Sequence, residues 1–345
     1  MNLPTVQTAP TTTLLPLLAL LLALPACRKS ERGLPPGAAD TMDAVPSGGR
    51  PSAGCQGATG RYPVGRRMAQ LTVGGSLRSF LIHVPRGHTA ARPAPLVLLL
   101  HGGLGTGEQL EGSALFAEVA ERETVVTVYP DGLSRSWNAG RCCGPPAQQD
   151  LDDVGFIAGL LDHLEAELCL DRRRFYASGM SNGAMLSHRL GCELGDRIAA
   201  IAPVAGTDMT SSCTPRRPVP VMQIHGTRDQ HVPWEGGNGC GIAGVPMTGV
   251  PATMTGWLMR NGCTATAPAL MFEQGDGRCE RQGTCPAGAD VVLCSIAGAG
   301  HSWPGGAPKG AELLPACRLA GEGEQSRTFI ASEQIWRFFA GQALP

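Results

Sequence analysis

Five consecutive apolar residues, Leu96 to Leu100, lie between Pro95 and Gly102. An uninterrupted run of this length predicts a strand buried on both faces of a parallel sheet. Val125 to Tyr129 repeats the pattern, and between the two runs Leu110 to Glu123 places apolar residues at 115, 116, 119 and 120, one face of a helix. A stronger helical stripe follows at Ile157, Leu160, Leu161, Leu164 and Leu168, with Asp152 or Asp153 placed to cap its N-terminus. A short strand at Phe175 to Ser178, a helix from about Asn182, and strands at Ile198 to Val204, Val219 to His225 and Val291 to Ile296 continue the alternation. A helix over Phe329 to Phe339 closes the chain. Strands and helices in alternation predict the α/β class, a mostly parallel sheet with helices on both faces.

The first 60 of the 345 residues read differently. Leu14 to Leu24 is an apolar run of eleven, short of the ~20 residues a spanning helix needs, and it ends in Leu24-Pro25-Ala26-Cys27, which resembles a bacterial lipoprotein box. Although no Lys or Arg precedes the run, residues 1–27 are expected to be an export signal with Cys27 as the lipidation site. Residues 28–60, rich in Pro, Gly and Ser, are expected to form a flexible linker, which leaves 61–345 as one catalytic domain. The chain would then be extracellular or periplasmic and would meet a membrane only through that N-terminal anchor.

With 28 basic against 29 acidic residues and no basic cluster, the chain lacks the electrostatic footprint of a nucleic-acid binder. Thirteen cysteines, twelve once Cys27 is set aside, suit disulfides in an exported protein. No Cys-x-x-Cys pair is present to suggest zinc or an iron–sulfur cluster. Cys279 and Cys294 stand equally far from a turn at Pro286-Ala287 and could face each other across a hairpin, and Cys240 could bridge to Cys317.

Four places carry chemistry. Gly179-Met180-Ser181-Asn182-Gly183 fits G-x-S-x-G where a predicted strand meets a predicted helix, a turn that lifts the serine hydroxyl above the sheet edge. A serine needs a base, and His301 follows the strand Val291 to Ile296 on the glycine-rich loop Gly298-Ala299-Gly300. Among the other histidines, His83 is expected ahead of the sheet, His163 and His188 within helices, and His225 at a strand end where it could order the next loop. That loop holds Asp229, the candidate to orient His301, with Asp208 as runner-up. The order Ser181, Asp229, His301 is that of α/β-hydrolases. Finally, His101-Gly102-Gly103-Leu104 follows the first strand, so the N–H of Gly103 or Leu104, with that of Asn182, is expected to form an oxyanion hole. The same stretch lacks the spacing of a nucleotide phosphate loop. Trp137 and Trp303, both near this sheet edge, are candidate substrate-binding residues; the alternative is that they fill the core beneath the loops.

These segments, LVLLLHGG, SWNAGRCCG, DDVGFI, GMSNGAM, RIAAIAPVAG, PVPVMQIHGTRDQHVPW and GAGHSWPGG, resemble the secreted esterases that include polyhydroxybutyrate depolymerases and feruloyl esterases, near carbohydrate esterase family 1. The resemblance runs from about Arg78 to the C-terminus and implies an α/β-hydrolase fold, a Ser181–Asp229–His301 triad and hydrolysis of carboxylic esters. The substrate would be a polyhydroxyalkanoate-type polyester or a feruloyl or acetyl ester of plant polysaccharide. Acyl transfer through a serine needs no cofactor. A serine peptidase on the same fold and an inactive, surface-tethered polymer-binding lipoprotein are the alternatives.

Overall fold

A computed structural model describes residues 49–57, 61–308 and 315–345. The expected export signal, Cys27 and most of the expected linker lie outside the described residues. In chain order the strands are β1 Gly65–Val73, β2 Ser76–Val84, β3 Ala94–Leu100, β4 Val126–Pro130, β5 Leu170–Met180, β6 Ala200–Val204, β7 Val221–Gly226, β8 Gly237–Asn238, β9 Pro246–Met247, β10 Ala269–Gln274, β11 Gly277–Arg281 and β12 Val291–Ile296. The helices are α1 Gly54–Gly57, α2 Gly107–Ala114, α3 Phe116–Glu123, α4 Gly144–Gln148, α5 Asp153–Glu167, α6 Asn182–Glu193, α7 Val250–Arg260, α8 Pro315–Leu319 and α9 Ala331–Ala340.

Among the described residues ten strands join in one sheet, ordered β1-β2-β4-β3-β5-β6-β7-β12-β11-β10. The central strands from β4 through β12 run parallel, flanked by antiparallel β1 and β2 at one edge and β11 and β10 at the other. This is the α/β-hydrolase fold. Every residue of β3 is buried, and its side chains alternate between two cores. Leu96, Leu98 and Leu100 pack with Ile157, Leu160 and Leu164 of α5 and with Leu186 and Leu190 of α6. Val97 and Leu99 face Phe116 and Val119 of α3 and Ile335 and Phe339 of α9. An apolar run without alternation is what such two-sided burial demands, and each fully buried Leu contributes roughly 1.5–3 kcal/mol.

The structure corrects several expectations. The helix expected over 110–123 is two, broken at Leu115, which adopts a left-handed φ of 54°. The C-terminal region explains the break: Ser332 Oγ donates to the carbonyl of Ala114 and Ala307 N–H to that of Ser113, contacts no local pattern encodes. The strand expected at 175–178 extends over eleven residues, Leu170–Met180. His83 lies within the sheet, on β2, and meets Glu121 at 2.8 Å; β2 pairs with β1 across the Gly74-Gly75 turn, a hairpin not expected from the sequence.

Residues 49–57, placed by composition in the linker, are fixed to the domain. Ser52 Oγ donates to the Leu168 carbonyl at 2.6 Å and accepts from the Leu170 N–H at 2.9 Å, Pro51 bridges to Asp171, and Cys55 is bonded to Cys169.

The remaining bonds join Cys142 to Cys143, Cys192 to Cys213, Cys240 to Cys317, Cys263 to Cys285 and Cys279 to Cys294. The last pair sits at directly opposed positions of β11 and β12, as the hairpin spacing predicts.

Candidate active site

Ser181 sits between the end of β5 and the start of α6 with φ 56° and ψ −120°, a strained conformation for a residue with a side chain. The turn fits because its flanking glycines let the backbone close on β3. A Cβ on Gly179 would stand 2.6 Å from the Leu100 carbonyl oxygen, and one on Gly183 would collide with the same atom. The following residue locks the turn from beneath: Asn182 Oδ1 accepts the Trp137 N–H at 2.7 Å while its Nδ2 donates to the Trp137 carbonyl at 3.0 Å. The Trp137 segment is itself anchored by a buried ion pair, since Asp153 Oδ2 accepts the Asn138 N–H and Asp153 Oδ1 meets Arg78 at 2.8 Å.

Asp229 and His301 come from the loops after β7 and β12. His301 Nδ1 donates to Asp229 Oδ2 at 2.9 Å, while Asp229 Oδ1 accepts the N–H groups of His231 and Val232, each at 2.9 Å. Burial alone would raise the Asp229 carboxyl, but the charge of His301 and the hydrogen bonds from His301 and Val232 outweigh it and hold the group below the usual carboxylate range. Asp208, the runner-up, is ion-paired with Arg260 at 2.8 Å and stands outside this cluster.

His225 braces the acid loop: its Nε2 donates to the Val232 carbonyl at 2.9 Å and lies 3.5 Å from Asp229 Oδ2. It ends a buried chain in which Trp257 Nε1 donates to His188 Nδ1, His188 Nε2 to Gln223 Oε1, and Gln223 Nε2 to His225 Nδ1. Burial pushes His188 down to about 4, so it stays neutral and can accept from the indole.

Ser181 and His301 open onto one cavity of about 690 Å³, within the range of small-molecule sites. Its walls include Gly103, Leu104, Cys143, Met185, Ile242 and Met247, and among the residues that line it there is no Lys, Arg, Asp or Glu. His101 shapes the glycine loop. Its Nε2 accepts the Gly132 N–H at 2.9 Å, so Nδ1 carries the proton and donates to the Gly102 carbonyl at 2.7 Å; burial lowers its pKa and favours this neutral form.

Two expectations change here. The Leu104 N–H donates to the Arg135 carbonyl at 2.7 Å, so it is committed to the loop, and Gly103 is the residue of that pair left to serve an oxyanion beside Asn182. Trp137 and Trp303 are 0% and 1% exposed and do not line the cavity. Their indole N–H groups are satisfied inside the protein, by the His101 carbonyl at 2.9 Å and by Ser332 Oγ at 3.1 Å. Both rings pack beneath the loops of the candidate site and not in its wall, contrary to the expectation that they bind substrate.

Sequence reasoning missed three features of the site. Cys142 and Cys143 are bonded to each other, and Cys143 reaches the cavity wall. Ile242, 68% exposed, stands at the cavity from a glycine-rich segment whose single large apolar residue was the available signal. Glu322 lies in Gly321-Glu322-Gly323-Glu324, which reads as a solvated charged loop, yet its side chain is wholly buried against the histidines.

No protein-family model matches the chain. The curated proteins it is similar to include feruloyl esterases and an acetylxylan esterase/xylanase. Feruloyl esterase B of Piromyces equi is 32% identical over 65% of this chain, which spans 42% of that relative's length. Feruloyl esterase D of Neurospora crassa is 24% identical over 84% of this chain and 90% of its own length. Among solved structures, an acetyl xylan esterase from Aspergillus awamori aligns with a TM-score of 0.49 at 15% identity, covering 68% of this chain and 94% of that one.

Proposed function

We propose that this protein is an exported serine carboxylic ester hydrolase. The observation that carries the reading is the 2.9 Å pair of His301 and Asp229, whose histidine shares a cavity with a serine held at a left-handed strand-to-helix turn. Ser181 Oγ attacks the ester carbonyl carbon while His301 Nε2 takes its proton, since Nδ1 is engaged by Asp229. The carbonyl oxygen, now negative, faces the Gly103 and Asn182 N–H groups. His301 returns the proton to the departing alcohol, and water releases the acid from the acyl-enzyme by the same steps in reverse. Proton transfer of this kind is worth ~10²–10⁴-fold and one oxyanion donor about 3–4 kcal/mol.

A cavity lined without formal carboxylate or ammonium charge suits an uncharged acyl group. Together with relatives named for feruloyl esters, this favours a hydroxycinnamoyl or related ester of plant polysaccharide over a polyester. Six disulfides among the described residues suit an oxidising compartment. Residues 1–27 serve as the export signal, with Cys27 as the lipid attachment point; the mass of the mature N-terminus tests this.

The function is tested by turnover of methyl ferulate, p-nitrophenyl acetate, hydroxybutyrate oligomers and a matched anilide, with a fluorophosphonate probe reporting the nucleophile. Ferulate and acetate cleavage that disappears in Ser181→Ala, together with probe labelling, is the expected result; loss in such units is on the order of 10⁶ in kcat. Anilide cleavage exceeding ester cleavage, or a Ser181→Ala variant that keeps its turnover, overturns the reading.

A further inference from the structure

The two loops that carry Asp229 and His301 belong to different strands and are not covalently continuous. They follow adjacent strands and meet directly, the Arg228 N–H donating to the Ala299 carbonyl at 2.9 Å and the Gly298 N–H to Thr227 Oγ1 at 2.9 Å, and a short strap formed by residues 321–324 ties them a second time. Along its backbone, the Gly323 N–H donates to the Arg228 carbonyl at 3.0 Å and the Glu324 carbonyl accepts the Gly300 N–H at 2.9 Å. One end is drawn to the acid loop and the other to the base loop. The Glu322 carboxylate makes the same connection through its side chain. Oε1 accepts the backbone N–H of His301, while Oε2 accepts the Gln230 N–H at 2.9 Å and the ring N–H of His231 at 3.0 Å. Gly300 allows this approach, because a Cβ there would collide with Glu322 Oε1.

The imidazole of His231, held by Glu322, lies flat against that of His301, with ring centres 4.6 Å apart and planes 17° from parallel. Its other nitrogen, Nε2, stands 3.5 Å from Cys317 Sγ in the bond to Cys240. His301 is thus held at its backbone by one oxygen of Glu322 and on its ring face by the residue the other oxygen holds. A buried carboxylate that accepts three donors is costly to leave unsatisfied, so the arrangement resists distortion at each of its contacts.

We propose that Glu322 is a positioning residue of the catalytic site, a second carboxylate that fixes the His301 ring against Asp229 by tying both loops together, with His231 as the plate against which the ring rests. The proposal rests on the esterase reading above. Glu322 touches neither the substrate nor the reacting atoms, and its effect runs through the geometry of the His301–Asp229 pair.

The test compares Glu322→Gln, nearly isosteric, with Glu322→Ala on p-nitrophenyl acetate, and follows the downfield proton signal of His301 Nδ1–H shared with Asp229. Glu322→Gln is expected to lower kcat at least tenfold with KM within about twofold, Glu322→Ala more, and the downfield signal should broaden or vanish in both. The signal is readable whether or not the protein turns over an ester, so an inactive wild type with an intact signal overturns the esterase reading alone. Should Glu322→Ala fail to fold, Glu322→Gln carries the test. A folded Glu322→Gln with unchanged kcat and signal overturns the proposal, as does a loss of activity that only tracks the folded fraction seen by circular dichroism.

Discussion

The two halves of the candidate catalytic edge are built on different principles. On the serine side, placement comes from the main chain: a buried strand, a tight turn and a helix leave Ser181 little freedom, and Asn182 and the Arg78–Asp153 pair brace the turn within the core. On the acid and base side, two loops after paired strands depend in addition on contacts between distant segments, with separations of 72 residues for His301 and Asp229, 92 for Gln230 and Glu322, and 77 for the Cys240–Cys317 bond. Damage to the braces of the first half, Ser181 itself aside, should therefore appear as lost stability, and damage to the second as lost chemistry in a protein that still folds.

The largest effect expected on the acid and base side is that of Asp229→Asn. An amide cannot hold the Nδ1–H tautomer of His301, and kcat should fall about 10⁴-fold, with KM little changed. The same variant reports on acid stability. Because the folded carboxyl is depressed, it contributes stability above its unfolded pKa of ~3.9 that is lost as pH falls through the lower folded value. Melting temperature followed from pH 6 downward should decline more steeply in the wild type than in Asp229→Asn. Matching slopes would show that the Asp229 carboxyl does not differ between the folded and unfolded chain.

The serine side should give the opposite signature. Asp153 is wholly buried and Arg78 is 4% exposed, so Asp153→Asn leaves a guanidinium in the core without its counter-charge. The cost should be about 3–5 kcal/mol, read as a lower denaturant midpoint, while the folded fraction keeps kcat within a few-fold of wild type. A selective loss of kcat at full stability would erase the distinction between the halves.

How much could be read from the sequence follows the same division. Ser181 was legible because a strand, a turn and a helix are local, and the glycines at 179 and 183 declare the close approach to β3. Asp229 and His301 could be nominated because each follows an apolar run. Glu322 could not, since its partners lie 21 and about 90 residues away and nothing in Gly321-Glu322-Gly323-Glu324 distinguishes a buried carboxylate from a solvated one. For Trp137 and Trp303 the sequence leaves cavity and core both open, for a related reason. Position near a sheet edge does not say whether an indole faces the cavity or the core, and here each N–H has an internal partner. The break at Leu115 likewise depends on Ser332, 218 residues from Ala114 along the chain.

The smallest effect should come from the cavity mouth. Leu104 and Ile242 are 57% and 68% exposed, and both line the cavity. Full burial of such a side chain is worth about 1.5–3 kcal/mol; partial cover by an aryl group should give roughly a third to a half of that. Ile242→Ala should thus raise KM for methyl ferulate several-fold and leave p-nitrophenyl acetate nearly unchanged. An equal change on both esters would place Ile242 outside the acyl-binding surface.

The attachment of residues 49–57 has a mechanical consequence. β5 begins at Leu170 and ends at Met180, next to Ser181, and eleven residues of strand span about 36 Å. The incoming chain is bound at the start of that strand, by Ser52 and by the Cys55–Cys169 bond. A pull on the polypeptide ahead of residue 49 is therefore taken up by a covalent link at the far end of the central strand. The force enters the fold there, at the end of β5 opposite Ser181 and away from the loops around Asp229 and His301.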